Sequence, residues 1–161
     1  MKSEKLELKH LAPYLPYGLK GRTKGGVWND TEYLIHEYIG LNYGNNSINM
    51  KSTKGVSLWY NINKHKPILR LLSDLTKEIE MPFGKIIPMG WMFGKDWENH
   101  SDWDNEETLN KVVYNTYSCI NGKVTPKHLP YFVSAQLLEM HFDVFGLIPK
   151  GLAIDINTIT E

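Results

Sequence analysis

The feature that most constrains the fold is TEYLIHEYIGLNY at 31–43, a stretch rich in β-branched and aromatic residues. Such residues favour β-strands, and an isolated strand cannot bury its apolar side without partners. Further strands are predicted at 18–24 and 55–62, and the segment 43–47 carries a turn signal. The stretch itself is predicted as one strand, or as two strands bent at Gly40. The first half of the chain therefore predicts a small antiparallel sheet.

Three helices are predicted, one near the start, one in the middle and one in the last third of the chain. A short helix is expected around 3–11, and another is expected to begin at the N-cap residue Ser73. The clearest helix covers 129–145, with Pro130 near its first turn, and Gly146 is expected to end it. Its predicted apolar stripe consists of Val133, Leu137, Leu138, His141 and residue 144 or 145.

Between these helices the β-branched residues predict strands near 112–120 and 123–125, joined by the hairpin signal Asn121-Gly122. Neither an internal repeat nor a low-complexity linker interrupts the chain. The sequence thus predicts a single α+β domain over 1–161, with a small antiparallel sheet packed with a long C-terminal helix and shorter helices.

The composition excludes several classes of protein. With 161 residues and 42% apolar residues, the chain can bury a core and is not of disordered type. No apolar run approaches the roughly 20 residues of a membrane span. Since Cys119 is the only cysteine, no intrachain disulfide can form, and an intracellular setting is expected.

The charge is divided along the chain although the net charge is zero. Residues 1–95 carry 14 Lys/Arg against 8 Asp/Glu, whereas 96–107 carry six carboxylates and no Lys or Arg. The acidic segment 96–107 could fold over the basic residues and shield them, or point away and leave two binding surfaces. It could also be solvated and unrelated to them.

A metal site in the acidic segment is not specified by its pattern. A calcium loop that started at Asp102 would need glycine where Glu107 stands. A contact surface for a partner and a solvated loop remain as alternatives. Exposed tryptophans are enriched in interface hot spots, which favours the contact surface. Its candidate residues are Asp96, Trp97, Glu98, Asp102, Trp103 and Asp104.

Catalytic motifs are not found, so no enzyme activity, catalytic residue, metal or cofactor is predicted. The segment from Gly90 to Lys95 has three residues between its glycines where a phosphate loop needs four, and a packed aromatic loop is expected there. Cys119 is expected to be buried and inert.

A basic face on the predicted sheet is the remaining candidate site. Lys20, Arg22 and Lys24 alternate along one strand and should share a face. The full candidate set is Lys20, Arg22, Lys24, Lys51, Lys54, Lys64 and Lys66, with aromatic residues in between. Lysines with aromatics on a sheet can hold single-stranded nucleic acid by charge and stacking. In the alternative, the aromatics pack the core and the lysines only solubilise its outside.

Three stretches resemble a group of small uncharacterised proteins from phages and prophages of Bacteroidetes. They are LAPYLPYGLK at 11–20, KPILRLLSDLTKEI at 66–79 and HFDVFGLIPKGLAIDIN at 141–157. The segment 84–125 does not share the pattern. The resemblance implies a mobile genetic element, and hence the cytoplasm of a bacterial host. It supplies no catalytic motif.

The leading hypothesis is an anti-defence protein, chiefly an anti-CRISPR inhibitor. It would bind a host CRISPR effector, an RNA-guided nuclease for which the genomic setting suggests the Cas13b type, or the guide RNA of that effector, and it would need no membrane. The first alternative is a phage accessory protein that binds single-stranded nucleic acid. The second is a metal-dependent nuclease that uses 96–107.

Overall fold

The computed structural model describes residues 4–26, 29–52, 55–99 and 108–159, without the side chains of 24–26, 29–34, 99 and 108–110. The chain divides into two compact units. Unit 1 comprises Met1–Arg70 with Phe145–Glu161, and unit 2 comprises Leu71–Val144. The single domain expected over 1–161 stays a prediction. Within the described ranges, none of the helices is both long and apolar enough to span a membrane.

The described residues form eight strands and four α-helices. The strands are β1 (Lys20–Gly26), β2 (Asn29–Asn42), β3 (Ser47–Lys51), β4 (Ser57–Asn61), β5 (His65–Leu69), β6 (Ile79–Met81), β7 (Gly84–Ile86) and β8 (Ile154–Asp155). The helices are α1 (Leu8–Leu11), α2 (Pro88–Phe93), α3 (Thr108–Ser118) and α4 (Tyr131–Glu139). Short 3-10 helices lie between them, among them Ala12–Tyr17, Ile62–Lys64, Leu72–Thr76 and Trp97–Asn99. The predicted mixture of helix and strand is confirmed.

Unit 1 contains a sheet in the order β4-β3-β2-β1-β5-β8, counting the described strands. Its pairs are antiparallel except for β5 and β8, which are parallel. The strands predicted around β1, β2 and β4 are confirmed, and β2 is one strand with a bulge next to Gly40.

The predicted small antiparallel sheet is wrong, because the sheet is larger and mixed. No strand was predicted at β5, which contains Pro67 as its middle residue. Pro67 pairs only with Gly21 of β1, while β8 begins its pairing at Ile68. On its other side Pro67 has no strand partner among the described residues, so its missing N–H costs no ladder hydrogen bond there.

One side of this sheet, the inner face, is covered by the core of unit 1. It is defined by buried residues of four strands: Thr23, His36, Tyr38, Ile48, Met50 and His65. The 3-10 helix Ala12–Tyr17 contacts β2, and its Tyr14 is fully buried. The described residues after 145 add the buried side chains of Leu147 and Ala153, so segments before and after unit 2 in the sequence contribute to this core.

Unit 2 has its own core, built from helices and a short hairpin. The hairpin pairs β6 with β7, and a buried cluster includes Leu75, Met89, Val113 and Leu137. The helix predicted from Ser73 is instead the 3-10 helix Leu72–Thr76, followed by β6.

The predicted long C-terminal helix is wrong. The helix in this region, α4, has nine residues and ends at Glu139, while the longest described helix is α3 with eleven. A Schellman-type cap ends α4, in which Phe142 N–H donates to Leu137 O at 2.8 Å and His141 N–H donates to Leu138 O at 3.0 Å. His141 adopts φ 59° and takes the position that was expected for Gly146.

The strands predicted at 112–120 and 123–125 are also wrong, because α3 occupies most of the first segment. Val113 and Thr116 are fully buried and lie three residues apart, which places them on one helical face. The Thr116 hydroxyl donates to Val112 O at 2.8 Å, so this β-branched residue satisfies its polar group within the helix.

Candidate functional site

Four of the predicted basic residues lie on the side of the sheet opposite the inner face. In the register of the strands, Lys20 and Lys51 each lie opposite Glu37 of β2. Arg22 lies opposite Ile35 on one side and Lys66 on the other. Side chains of directly opposed residues project from the same side of a sheet. We call this side the outer face and define it by Lys20, Arg22, Glu37, Lys51, Trp59 and Lys66.

Strand alternation explains why the cations are placed there. In and next to β1, Leu19 and Thr23 are buried, whereas Lys20 is exposed and Arg22 is half-buried between them. In β5, His65 is buried and Lys66 is exposed. The period of two along each strand therefore separates the apolar side from the charged side.

Trp59 is an exposed aromatic residue of the outer face. It pairs with Asn49 across β3 and β4, and 52% of its surface is exposed. A Cβ on Gly40 would lie 3.5 Å from Asn49 Cβ and 3.7 Å from Trp59 Cη2, so the indole ring covers this glycine. The face thus carries a flat aromatic surface beside its cations.

The lysines of the outer face form no close ion pair in the part of the chain that the structure describes. The ion pairs shorter than 4 Å found there do not involve Lys20, Lys51 or Lys66. Glu37 is the one carboxylate that defines the outer face, against four cations. Among the six residues that define the outer face, the cations therefore outnumber the carboxylates by three.

The other predicted basic residues are not placed on this face. Lys64 is exposed at the end of the 3-10 helix Ile62–Lys64, outside the sheet. Lys24 lies in β1 opposite Tyr33, but its side chain is not among those described. Lys54 lies outside the described residues.

Of the aromatic residues between the lysines, some pack on the inner face and one lies beside the cations on the outer face. Tyr38 is fully buried on the inner face, and Tyr60 packs edge-on against His65 with ring centroids 5.1 Å apart. Tyr38 therefore belongs to the core and Tyr60 is half-buried beside it, whereas Trp59 lies with the cations.

The acidic segment is described only at its start. Asp96 and Glu98 are exposed around the 3-10 helix Trp97–Asn99. Trp97 is partly buried against the core of unit 2, and its ring centroid lies 6.0 Å from that of Tyr117. Trp97 therefore packs inside unit 2. Asp102, Trp103 and Asp104 lie outside the described residues.

Sequence reasoning missed an exposed aromatic pair in unit 2. Phe83 and Trp91 are 60% and 56% exposed, and their ring centroids are 5.2 Å apart. The packed aromatic loop that was expected from Gly90 to Lys95 is instead largely α2, which buries Met89 and exposes Trp91. The signal that could have indicated the exposure of Phe83 is its place in the turn between two short strands, β6 and β7.

A second missed feature is a buried polar group of the inner face. Among the described residues, His36 Nδ1, the Tyr38 hydroxyl and both ring nitrogens of His65 have no hydrogen-bond partner. Burial, and then the nearby His36 and Lys64, lowers the pKa of His65 to about 4. Burial also lowers the pKa of His36 and raises the pKa of the Tyr38 phenol. These groups are therefore held neutral.

Nucleophilic and metal chemistry find little support in the described residues. Cys119 is buried, as expected, and its burial raises the pKa of the thiol to about 11. Its Sγ donates to Asn115 O at 3.3 Å. Within the described ranges, no three His, Cys, Asp or Glu residues are grouped closely enough to hold a metal ion.

The geometry therefore singles out the outer face of unit 1 as the candidate site. Its cations lie on β1, β3 and β5, with Glu37 of β2 between Lys20 and Lys51, and its Trp59 side chain is open to solvent. The resemblance to phage proteins stays a prediction. Comparisons of this chain with models of protein families, with curated proteins and with solved structures gave no match.

Proposed function

We propose that this chain is a non-catalytic RNA-binding protein with an anti-defence role. It captures the guide RNA of an RNA-guided nuclease, of which a Cas13b-type effector is the class suggested by the predicted phage setting. The observation that carries the proposal is the outer face, where four cations and an exposed tryptophan occupy one side of a sheet.

The charge of the outer face supports binding to a phosphate backbone. Neighbouring strands lie about 5 Å apart and alternate residues about 7 Å apart, which places Lys20, Arg22 and Lys66 close together on β1 and β5. Lys51 lies two strands, or about 10 Å, from Lys20, with Glu37 between them. Lysine and arginine bind phosphates and release counterions, which makes the affinity depend on salt. With four contacts to a single strand, the slope of log K against log salt is expected to be roughly −3.

Trp59 supports binding to unpaired bases. A base stacked on an aromatic side chain contributes about 1–3 kcal/mol, whatever its identity. Three of the four cations are lysines, which act as point charges and do not offer the fixed fork that reads guanine. The face therefore suits RNA recognised by its backbone and by exposed bases, as in the single-stranded part of a guide.

The proposal is tested by a gel-shift titration with three probes at two salt concentrations. The probes are a guide-type RNA with a hairpin and a single-stranded extension, a single-stranded RNA of equal composition, and duplex DNA. Lys20→Glu with Lys66→Glu is expected to weaken binding of the guide-type RNA by at least about tenfold. The matched control is Lys123→Glu with Lys127→Glu, which changes the same charge at two exposed lysines of unit 2.

The outcomes separate the alternatives. Preference for the guide-type RNA supports guide capture, and inhibition of the loaded effector without RNA cleavage completes the anti-defence assignment. Equal, salt-sensitive binding to both RNAs favours the accessory nucleic-acid-binding protein. If the outer-face variant and the control bind as tightly as the wild type, the outer face is not the RNA site.

The exposed pair of Phe83 and Trp91 favours a second candidate, in which the effector protein itself is bound. Two large aromatic side chains that are more than half exposed and contact each other are typical of an interface anchor. Trp91→Ala is then expected to abolish complex formation with the effector while RNA binding is retained. The exposed Tyr131→Ala in the same unit serves as the control.

A further inference from the structure

The strand β4 lies at one edge of the sheet that the described strands form in unit 1. It occupies the end of the strand order and pairs with β3 alone among the described strands. An edge strand presents unpaired N–H and C=O groups to its surroundings, and proteins commonly protect such an edge with charges, prolines or a covering element.

The hydrogen bonds at both ends of the β3–β4 pair show which groups point outward. Ser52 N–H donates to Val56 O at 2.8 Å, and Ile62 N–H donates to Asn46 O at 3.3 Å. Hydrogen-bonded and non-bonded pairs alternate along antiparallel strands. In the register of this pair, the backbone N–H and C=O groups of Leu58 and Tyr60 therefore form hydrogen bonds with β3. The backbone groups of Ser57, Trp59 and Asn61 point away from the sheet.

The side chains of β4 do not protect this edge. Leu58 and Trp59 are 44% and 52% exposed and point to opposite sides of the sheet, and the preceding Val56 is 56% exposed. The strand Ser57–Asn61 contains neither a charged residue nor a proline. An exposed apolar edge without these devices is a site of strand pairing.

We propose that β4 pairs with β4 of a second copy of this chain and forms an antiparallel dimer. The outward residues Ser57, Trp59 and Asn61 are symmetric about Trp59. With Trp59 on the two-fold axis, Ser57 meets Asn61 of the second copy. The Trp59 pair exchanges two N–H···O bonds, and Asn61 N–H donates to Ser57 O of the second copy at each end. The Asn61 carbonyl accepts the first hydrogen bond of the 3-10 helix Ile62–Lys64.

Side-chain chemistry favours a second copy over a strand of another protein. Trp59 meets its own counterpart, and Leu58 lies opposite Tyr60 of the second copy, so the three central cross-strand pairs are apolar, while Ser57 and Asn61 form a polar pair at each end. Because the strand is uncharged, self-pairing brings no like charges together in β4. An interface of this type is isologous, as in most homodimers.

The dimer also has a consequence for the outer face. Residues that face each other across an antiparallel pair project from the same side, so the outer faces of both copies join into one surface. That surface has twice the cations of one chain. An RNA that spans both copies is bound more tightly than by one face alone.

The inference goes beyond the proposed function, and it is tested by sedimentation velocity without RNA between about 1 and 100 µM chain. The wild type is expected to approach twice its mass of 18.6 kDa. Trp59→Lys and Trp59→Glu each place like charges opposite each other and are expected to sediment at 18.6 kDa. An equal mixture of the two variants is expected to form the dimer again.

Tyr131→Lys changes an aromatic residue that is 86% exposed in unit 2 and serves as the control, which is expected to stay dimeric. If a charged variant loses its circular-dichroism spectrum, Trp59→Ser replaces it and is expected to weaken the dimer at least tenfold. A wild type of 18.6 kDa throughout the range would overturn the proposal. So would a dimer that survives Trp59→Lys, or a mixture that stays monomeric.

Discussion

At the scale of single residues, Gly21 determines how the inner face is filled. A Cβ at this position would overlap the ring and hydroxyl of Tyr38, which is fully buried. A glycine is needed at this position because the Tyr38 ring fills the space that a Cβ would occupy. It adopts no left-handed conformation.

Gly21→Ala is therefore expected to lower the free energy of unfolding by about 3 kcal/mol or more, because Tyr38 must leave its position. Gly40→Ala is the matched control in the neighbouring strand, where the new Cβ meets only ordinary contacts beyond 3.4 Å. It should change stability by less than about 1 kcal/mol. Urea unfolding of the two variants measures both, and equal effects would contradict this account.

His65 gives the protein a dependence of stability on pH. Its pKa is about 4 in the folded chain and near 6.5 when unfolded, so protons bind preferentially to the unfolded state. The free energy of unfolding is therefore unaffected by the titration of His65 above pH 6.5 and decreases as the pH falls from there towards 4.

Between pH 7 and pH 4.5 the contribution of His65 is expected to fall by roughly 2–3 kcal/mol. His65→Phe keeps a ring against Tyr60 but cannot bind a proton, so its loss of stability over this range should be smaller by that amount. Urea unfolding at both pH values tests this. An identical loss in the variant and the wild type would show that His65 is not the titrating group.

At the scale of elements, α4 illustrates how far periodicity alone can be used. Of its predicted stripe, Val133 and Leu137 are buried and Leu138 is partly buried. His141 lies beyond the end of the helix, because its positive φ completes the cap. The stripe was correct within the helix and wrong where the chain leaves it.

Leu137→Ala is expected to destabilise the protein by about 2–5 kcal/mol, because a fully buried side chain of the cluster in unit 2 is truncated. Tyr131→Ala in the same helix should change stability by less than about 0.5 kcal/mol, since Tyr131 is 86% exposed. Thermal unfolding compares the two. Similar midpoints would contradict the assignment of the buried face of α4.

At the scale of the whole molecule, the division of charge matters more than its sum. The six carboxylates of 96–107 balance the basic excess of residues 1–95. Whether the acidic segment shields the outer face, binds a second partner or is unrelated to both, its charge contributes to the field that an approaching RNA meets.

Replacing these six carboxylates with Asn and Gln raises the net charge from zero to +6. We expect RNA binding at low salt to tighten on the order of tenfold, and the gain to vanish at high salt, where the Debye length shrinks to about 3 Å. Titrations at both salt concentrations measure this. Unchanged binding at low salt would support the alternative in which the segment is solvated and unrelated.

The sequence by itself determined the features that depend on neighbours along the chain. Alternation located β1, β2 and β4 and predicted that Lys20 and Arg22 share a face, because side chains of a strand alternate sides wherever it lies. The tertiary structure decided which strands are neighbours, and hence that Lys66 and Lys51 join that face. It also decided that Tyr38 is buried while Trp59 is exposed, and that 108–118 is a helix. Burial and pairing depend on residues far away in sequence, and these override the weak preferences of a local segment.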